Sequence, residues 1–386
     1  MTKAAEMAKV SAKGGFHLLW GLVASTVISS VGTIFFGNLL GDTNYGLYGI
    51  ALVAPNLIAN FRDWGISQAM IKYSAQYNAE KKCDKIRGIF VAGIVFEVIL
   101  GLVLTVVGFS LSGFLAGLYN NAALEPLIKI ASFTILTGAL LGTAQSAFVG
   151  IERMELNSIT LIFNSVIRTV LIPIFVLFGI GPLGAVIGHS IAFLIAGIIG
   201  VLLMWIIYKG LPKPANNKLE IKATIKTMFN YGLPLSIATI IGGFQTQFYN
   251  FIVPIYVSSD IYGNYGIAST FVVLITFFAT PITTILFPAF SKLDIRKDQE
   301  TLKNVFQFSV KYASLLVVPA AIIVMVLAKQ GIGVLFPTFT EAPLFLALLA
   351  ISYLYTVAGN LSIGNFINGQ GETKFNLKLA LLTSAI

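Results

Sequence analysis

Residues 182–208 read PLGAVIGHSIAFLIAGIIGVLLMWIIY, with no Asp, Glu, Lys or Arg between Pro182 and Tyr208. As an α-helix this run would be about 40 Å long at 1.5 Å per residue, more than the ~30 Å of hydrocarbon in a bilayer. Nine further stretches carry the same character, at 14–40, 44–62, 86–112, 126–150, 156–178, 226–256, 262–290, 303–328 and 342–369, and an eleventh opens near Phe375. Over 386 residues the hydrophobic content is 56% and the charged content 11%, too little polarity to solvate the surface of a soluble protein. The fold class predicted is an all-α polytopic membrane protein. The connections between spans are short and leave no room for a separate soluble catalytic domain.

Charge placement gives orientation. The Lys and Arg residues gather in alternate connections: Lys3, Lys9 and Lys13; Arg62 to Arg87; Arg153; Lys209 to Lys226; Lys292 to Lys303; and Lys374 with Lys378. The connections around Asp42, Asn120, Gly181 and Asp260 have none. By the positive-inside rule the basic side is cytoplasmic, so the N-terminus is expected in the cytoplasm of a multi-pass plasma-membrane protein. The net charge of +9 is then a topology signal and a contact for anionic lipid, not a nucleic-acid footprint. The first apolar run is too long for a signal-peptide h-region and reads as an uncleaved span. The lone Cys83 excludes an internal disulfide.

The chain also repeats itself. YGLYGIA at Tyr45–Ala51 returns as YGNYGIA at Tyr262–Ala268, and FVGIERMELN at Phe148–Asn157 returns more weakly as INGQGETKFN at Ile367–Asn376, at nearly one offset. A duplicated six-span unit of this kind is a parallel repeat, because an even number of spans preserves orientation. The predicted organisation is two six-helix bundles around a central cavity, the first at 1–208 and the second at 226–386. They are joined by a cytoplasmic linker at 209–225, whose prolines, asparagines and lysines lead into a short interfacial helix. The second bundle is expected to be C-terminally truncated, since the run 377–386 is too short to cross a bilayer.

Polar groups at membrane depth are the candidate functional residues, because they are costly unless they face protein or water. Asn157, Thr160, Asn164 and Arg168 recur every three or four residues and fall on one helical face. Arg168 lies about fifteen residues beyond Arg153, roughly 22 Å into the membrane, and its permanent charge calls for an anion. That anion could be Glu97 of the third span, also near mid-membrane, or a ligand phosphate; the two are compatible. A second stripe contains Ser236, Thr239, Gly243, Thr246, Gln247 and Asn250, with Gln245 beside it. Ser29, Ser30 and Thr33 occupy the equivalent positions of the first half. Such residues line cavities and also bond helices together. Arg62 and Asp63 close the second span and are placed at the inner mouth. His17 and His189 are expected to pack rather than relay protons. No metal-ligand cluster, phosphate-cradling loop or catalytic carboxylate pair is present, so no catalytic residue, metal or cofactor is expected, and no enzyme activity.

The run Gly14–Lys82 carries a basic tail into a Gly-rich span, the opening Gly41, Tyr45, Gly46 and Tyr48, and a turn at Gly65–Ala69. In these features the chain resembles the Wzx-like oligosaccharide flippases of the multidrug/oligosaccharidyl-lipid/polysaccharide (MOP) exporter superfamily. The resemblance implies a V-shaped pair of bundles working by alternating access. It implies a polyprenyl- or dolichyl-(di)phosphate-linked oligosaccharide as substrate, held by cationic cavity residues, with glycan-assembly enzymes as partners of a monomeric transporter. Arg168 is the one deeply placed cation that fits that role. Drug-exporting relatives rely on acidic residues in the first or seventh span, and this chain has none there. The alternatives are a cation-coupled multidrug antiporter, with Glu97 as coupling residue, and a non-transporting scaffold of an envelope-synthesis complex.

Overall fold

The structure is a computed structural model that describes residues 3–212, 220–291 and 298–370, with Phe375; within these, the side chains of 3–13, 238–239, 241–242, 245–246, 278, 280–289, 291 and 368–369 are not described. The described residues are overwhelmingly helical, and no strand occurs among them. In order the elements are α1 (Lys3–Ala59), α2 (Ile66–Ala79), α3 (Cys83–Leu118), α4 (Leu124–Ala131), α5 (Phe133–Gly150) and α6 (Met154–Phe175). A π-helical turn (Val176–Ile180) leads to α7 (Gly181–Gly210), followed by α8 (Ile221–Tyr256), α9 (Ser259–Ser291) and α10 (Gln299–Leu335). Last come α11 (Ala342–Ile351), a 3-10 segment (Ser352–Ala358) and α12 (Asn360–Gly369).

Two helical runs are too long for one crossing. Gly14–Ala59 and Met154–Gly210 contain 46 and 57 residues, about 70 and 85 Å of helix against ~30 Å of hydrocarbon. Each is broken where glycine permits it. Gly41 adopts φ 72° and ψ 175°, and Gly179 and Gly181 have φ 79° and 58°. These breaks divide each run into two spans at the positions expected from sequence. The stretch 342–369 behaves differently. It is bent by 59° at Gly359, where φ is 85°. The single span expected there is a broken one, because a 3-10 segment ends in a left-handed residue that only glycine adopts without strain.

The chain packs as two units, Met1–Leu40 with Leu47–Ser259, and Gly41–Gly46 with Asp260–Ile386. The division falls later than the 209–225 linker. Helix α8, placed by sequence in the second bundle, packs on α2 and α3 in the first unit. Its Met228 joins Ile66, Met70, Ile86, Phe90, Phe148 and Met204 in a buried core at one end of that unit. Gly65 at the start of α2 and Gly232 of α8 meet backbone to backbone, and a Cβ on either would overlap the other's carbonyl. In the second unit Ile275, Val317, Ala321 and Ala350 join α9, α10 and α11. There Gly263 lies against the Asp42 carbonyl, Tyr45 meets Phe339 edge to face at 5.7 Å, and Asn264 Oδ1 accepts the N–H groups of Glu341 and Ala342.

Candidate functional site

Helix α6 presents two neighbouring polar faces, and their fates differ. On one, Ser158, Ser165 and Thr169 bond α6 to the first span in α1. Ser158 Oγ donates to the His17 carbonyl at 2.7 Å, Thr169 Oγ1 to the Ile28 carbonyl at 3.2 Å, and Ser29 Oγ to Ser165 Oγ at 3.1 Å. Gly21 and Gly32 of α1 leave room for Ser158 and Thr169 at this seam. Small residues and hydroxyl bonds substitute for the hydrophobic effect, which supplies nothing between helices in lipid.

On the other face lies the stripe expected from sequence. Its inner part is satisfied: Thr160 is fully buried, donates to the Asn157 carbonyl at 2.7 Å and receives Gln145 Nε2 at 3.4 Å. Its outer part is not. Asn164 Oδ1 is buried without a hydrogen-bond partner. Arg168 is half-buried, and among the described residues no carboxylate lies within 4.0 Å of it.

Among the described residues, the group shown to interact with Arg168 is not an anion. Its guanidinium is close enough to act electrostatically on His189 of α7. That ring nitrogen (Nδ1) is 2.8 Å from the Tyr48 hydroxyl, and the imidazole stacks on Phe193 with centroids 5.1 Å apart. A phenol and an imidazole can orient an anion, but neither neutralises a cation. In sequence Tyr48 belongs to the opening of the second span and carries no site signal of its own. Its recurrence in the YGxYG echo was the signal that could have drawn attention to it.

The acid expected opposite Arg168 is engaged elsewhere. Glu97 of α3, 1% exposed, lies 2.8 Å from Arg62 Nε. The contact is an ion pair by distance; neither Arg62 Nε nor the carboxylate oxygens have an aligned hydrogen bond. Arg62 is thus not simply a residue of the inner mouth. It reaches between α3 and α5, donates to the Ile135 carbonyl at 3.2 Å, and runs past Gly138 and Gly142. Asp63 turns the other way and accepts the Ser67 N–H at 3.1 Å, starting α2.

The remaining candidates divide. Thr33 Oγ1 donates to the Ser29 carbonyl within its own helix at 2.9 Å, and Ser29 is held by Ser165, so both sit in helix packing. Gln247 and Asn250 are half-buried on α8, and no hydrogen bond joins them to the α6 stripe among the described residues. The side chains of Thr239, Gln245 and Thr246 lie outside the described ones. The geometry therefore places Asn164 and Arg168 on one face of α6, pairs Tyr48 with His189 within electrostatic range of Arg168, and separately pairs Arg62 with Glu97.

A family model described as polysaccharide biosynthesis protein matches residues 11–294. An uncharacterized membrane protein of Methanocaldococcus jannaschii is 21% identical, the match covering 94% of this chain and 74% of that protein. Lipopolysaccharide biosynthesis protein WzxC of Escherichia coli is 23% identical over 93% of this chain and 70% of its own length. Among solved structures, the fold is similar to an inward-facing MATE family multidrug resistance transporter of the MOP superfamily, with a TM-score of 0.74, 16% identity and coverage of 95% and 88%. It is also similar to the lipid II flippase MurJ in an inward closed conformation, with a TM-score of 0.70, 15% identity and coverage of 95% and 79%.

Proposed function

This chain belongs to the polysaccharide biosynthesis protein family, and from that premise we propose that it is a flippase for a lipid-linked oligosaccharide. The substrate would be a glycan on a polyprenyl or dolichyl (di)phosphate, moved from the cytoplasmic to the outer leaflet by alternating access. The observation that carries this reading is Arg168: a guanidinium at membrane depth with no carboxylate partner among the described residues. A permanent charge in that position is stabilised by an anion from outside the protein, and a guanidinium fork matches two phosphate oxygens. The orphan Asn164 Oδ1 supplies an acceptor one turn away, suited to a sugar hydroxyl.

The same geometry disfavours the cation-coupled multidrug antiporter. Glu97, the mid-membrane acid, is already neutralised by Arg62 and offers no free charge to recruit a cation. The lysine distribution supports a cytoplasmic N-terminus in the plasma membrane, and the reading is of a monomer working beside glycan-assembly enzymes. A charge-assisted hydrogen bond to phosphate is worth about 1.5–3 kcal/mol. Arg168→Ala is therefore expected to lower surface glycan export by about ten- to a hundredfold at unchanged protein level, with Arg168→Lys retaining part of it. Unchanged glycan export in Arg168→Ala cells would remove Arg168 from the mechanism.

A further inference from the structure

Helix α8 is longer than a single crossing requires. Its 36 residues span about 54 Å, some 24 Å more than the bilayer core requires. The interfacial helix expected after the linker and the seventh span are therefore one continuous helix. Its first turns are amphipathic: Ile221, Ile225, Met228 and Phe229 pack toward the first unit's core, while Lys222 and Lys226 are exposed. A shallow, wide-open groove lined by α8 alone lies here, with Ile221, Ile225 and Phe229 as its apolar part and Lys222, Lys226 and Glu220 beside them.

Two lysines one helical turn apart repel each other, which destabilises a helix unless an anion lies between them. Glu220 lies two residues before Lys222 but not within 4.0 Å of either lysine, and among the described residues no other carboxylate pairs with them. Lys72 sits over Tyr231 at 3.7 Å, Lys209 over Trp205 at 3.6 Å, and Arg87 over Tyr208 at 4.1 Å. These cations lie on aromatic faces, and Glu80 is held by Lys82 at 2.6 Å. Aromatic rings beside lysines mark the headgroup level of a membrane. We propose that this groove binds an anionic phospholipid, with the phosphate between Lys222 and Lys226 and the acyl chains over Ile221, Ile225 and Phe229. A soluble anion would need the lysines but not the floor, and a zwitterionic lipid would need the floor but gain little from paired lysines.

The test uses the purified full chain, delipidated and titrated with phosphatidylglycerol or phosphatidylcholine, with bound lipid counted by native mass spectrometry. Wild-type protein should bind phosphatidylglycerol at least about tenfold more tightly than phosphatidylcholine. The Lys222→Gln/Lys226→Gln double variant should lose that preference, while Lys222→Arg/Lys226→Arg keeps it. Millimolar inorganic phosphate should not displace the lipid. Thermal unfolding in phosphatidylcholine checks that the Gln variant is folded; were it not, Ile225→Ser would replace it, with weakened phosphatidylglycerol binding expected. Equal binding of the two lipids by wild type, full preference in the Gln variant, or displacement by phosphate alone would each overturn the proposal.

Discussion

Arg62 and Glu97 are ionisable groups enclosed together, 2.8 Å apart, and each is tolerable because of the other. Glu97 is almost completely enclosed, so removing Arg62 would leave a carboxylate with neither water nor a cation. Breaking one member of such a pair typically costs about 3–5 kcal/mol, whereas replacing both by apolar residues of similar volume is near neutral. Arg62→Met should therefore lower the thermal unfolding midpoint far more than Arg62→Met/Glu97→Leu, measured in detergent; equal losses would show that the pair contributes nothing as a pair. This contact was not legible in sequence. The i, i+4 stripe from Asn157 to Arg168 could be read from spacing alone, because it lies on one helix. The Arg62–Glu97 pair joins the end of one span to the middle of another, and depth counting had matched Glu97 to Arg168 instead. Charge told which residues needed partners, and only packing told which partners they had.

At the scale of elements, glycine decides where long helices break and where two helices can touch. Gly41 follows a span of fitting length and precedes Asp42, Thr43 and Asn44, so that break was visible in the sequence. Gly359 sits within an apolar run with no such punctuation, and its bend was not foreseen. Helix α2, where the sequence suggested only a turn at Gly65–Ala69, is too short to span a membrane, yet Ile66, Met70, Tyr73 and Tyr77 recur at helical spacing and face the core. Its contact with α8 rests on Gly65 and Gly232. Overpacking such a contact costs about 1–3 kcal/mol. At Gly65 the left-handed backbone, φ 80°, adds about 1 kcal/mol or more. Gly65→Ala should thus destabilise more than Gly232→Ala in a thermal melt. If both alanine variants melt with the wild type, the close approach of α2 and α8 is not real.

For the whole molecule, composition and span length were enough for the class, because no soluble fold can hide so many uncharged runs. The boundary of the two units was harder to read. Linker composition marks where chain is solvated, whereas packing marks which helices hold together, and α8 follows the linker yet packs with the helices before it. The substrate reading rests on Arg168, a cation at membrane depth without a carboxylate partner among the described residues, and on family membership. Its most direct test is transbilayer movement of a labelled polyprenyl-diphosphate oligosaccharide in vesicles holding the purified chain. Label placed in one leaflet should reach the other faster than in protein-free vesicles, and Arg168→Ala should slow this by about tenfold or more. Movement no faster with wild-type protein than without it would contradict the account.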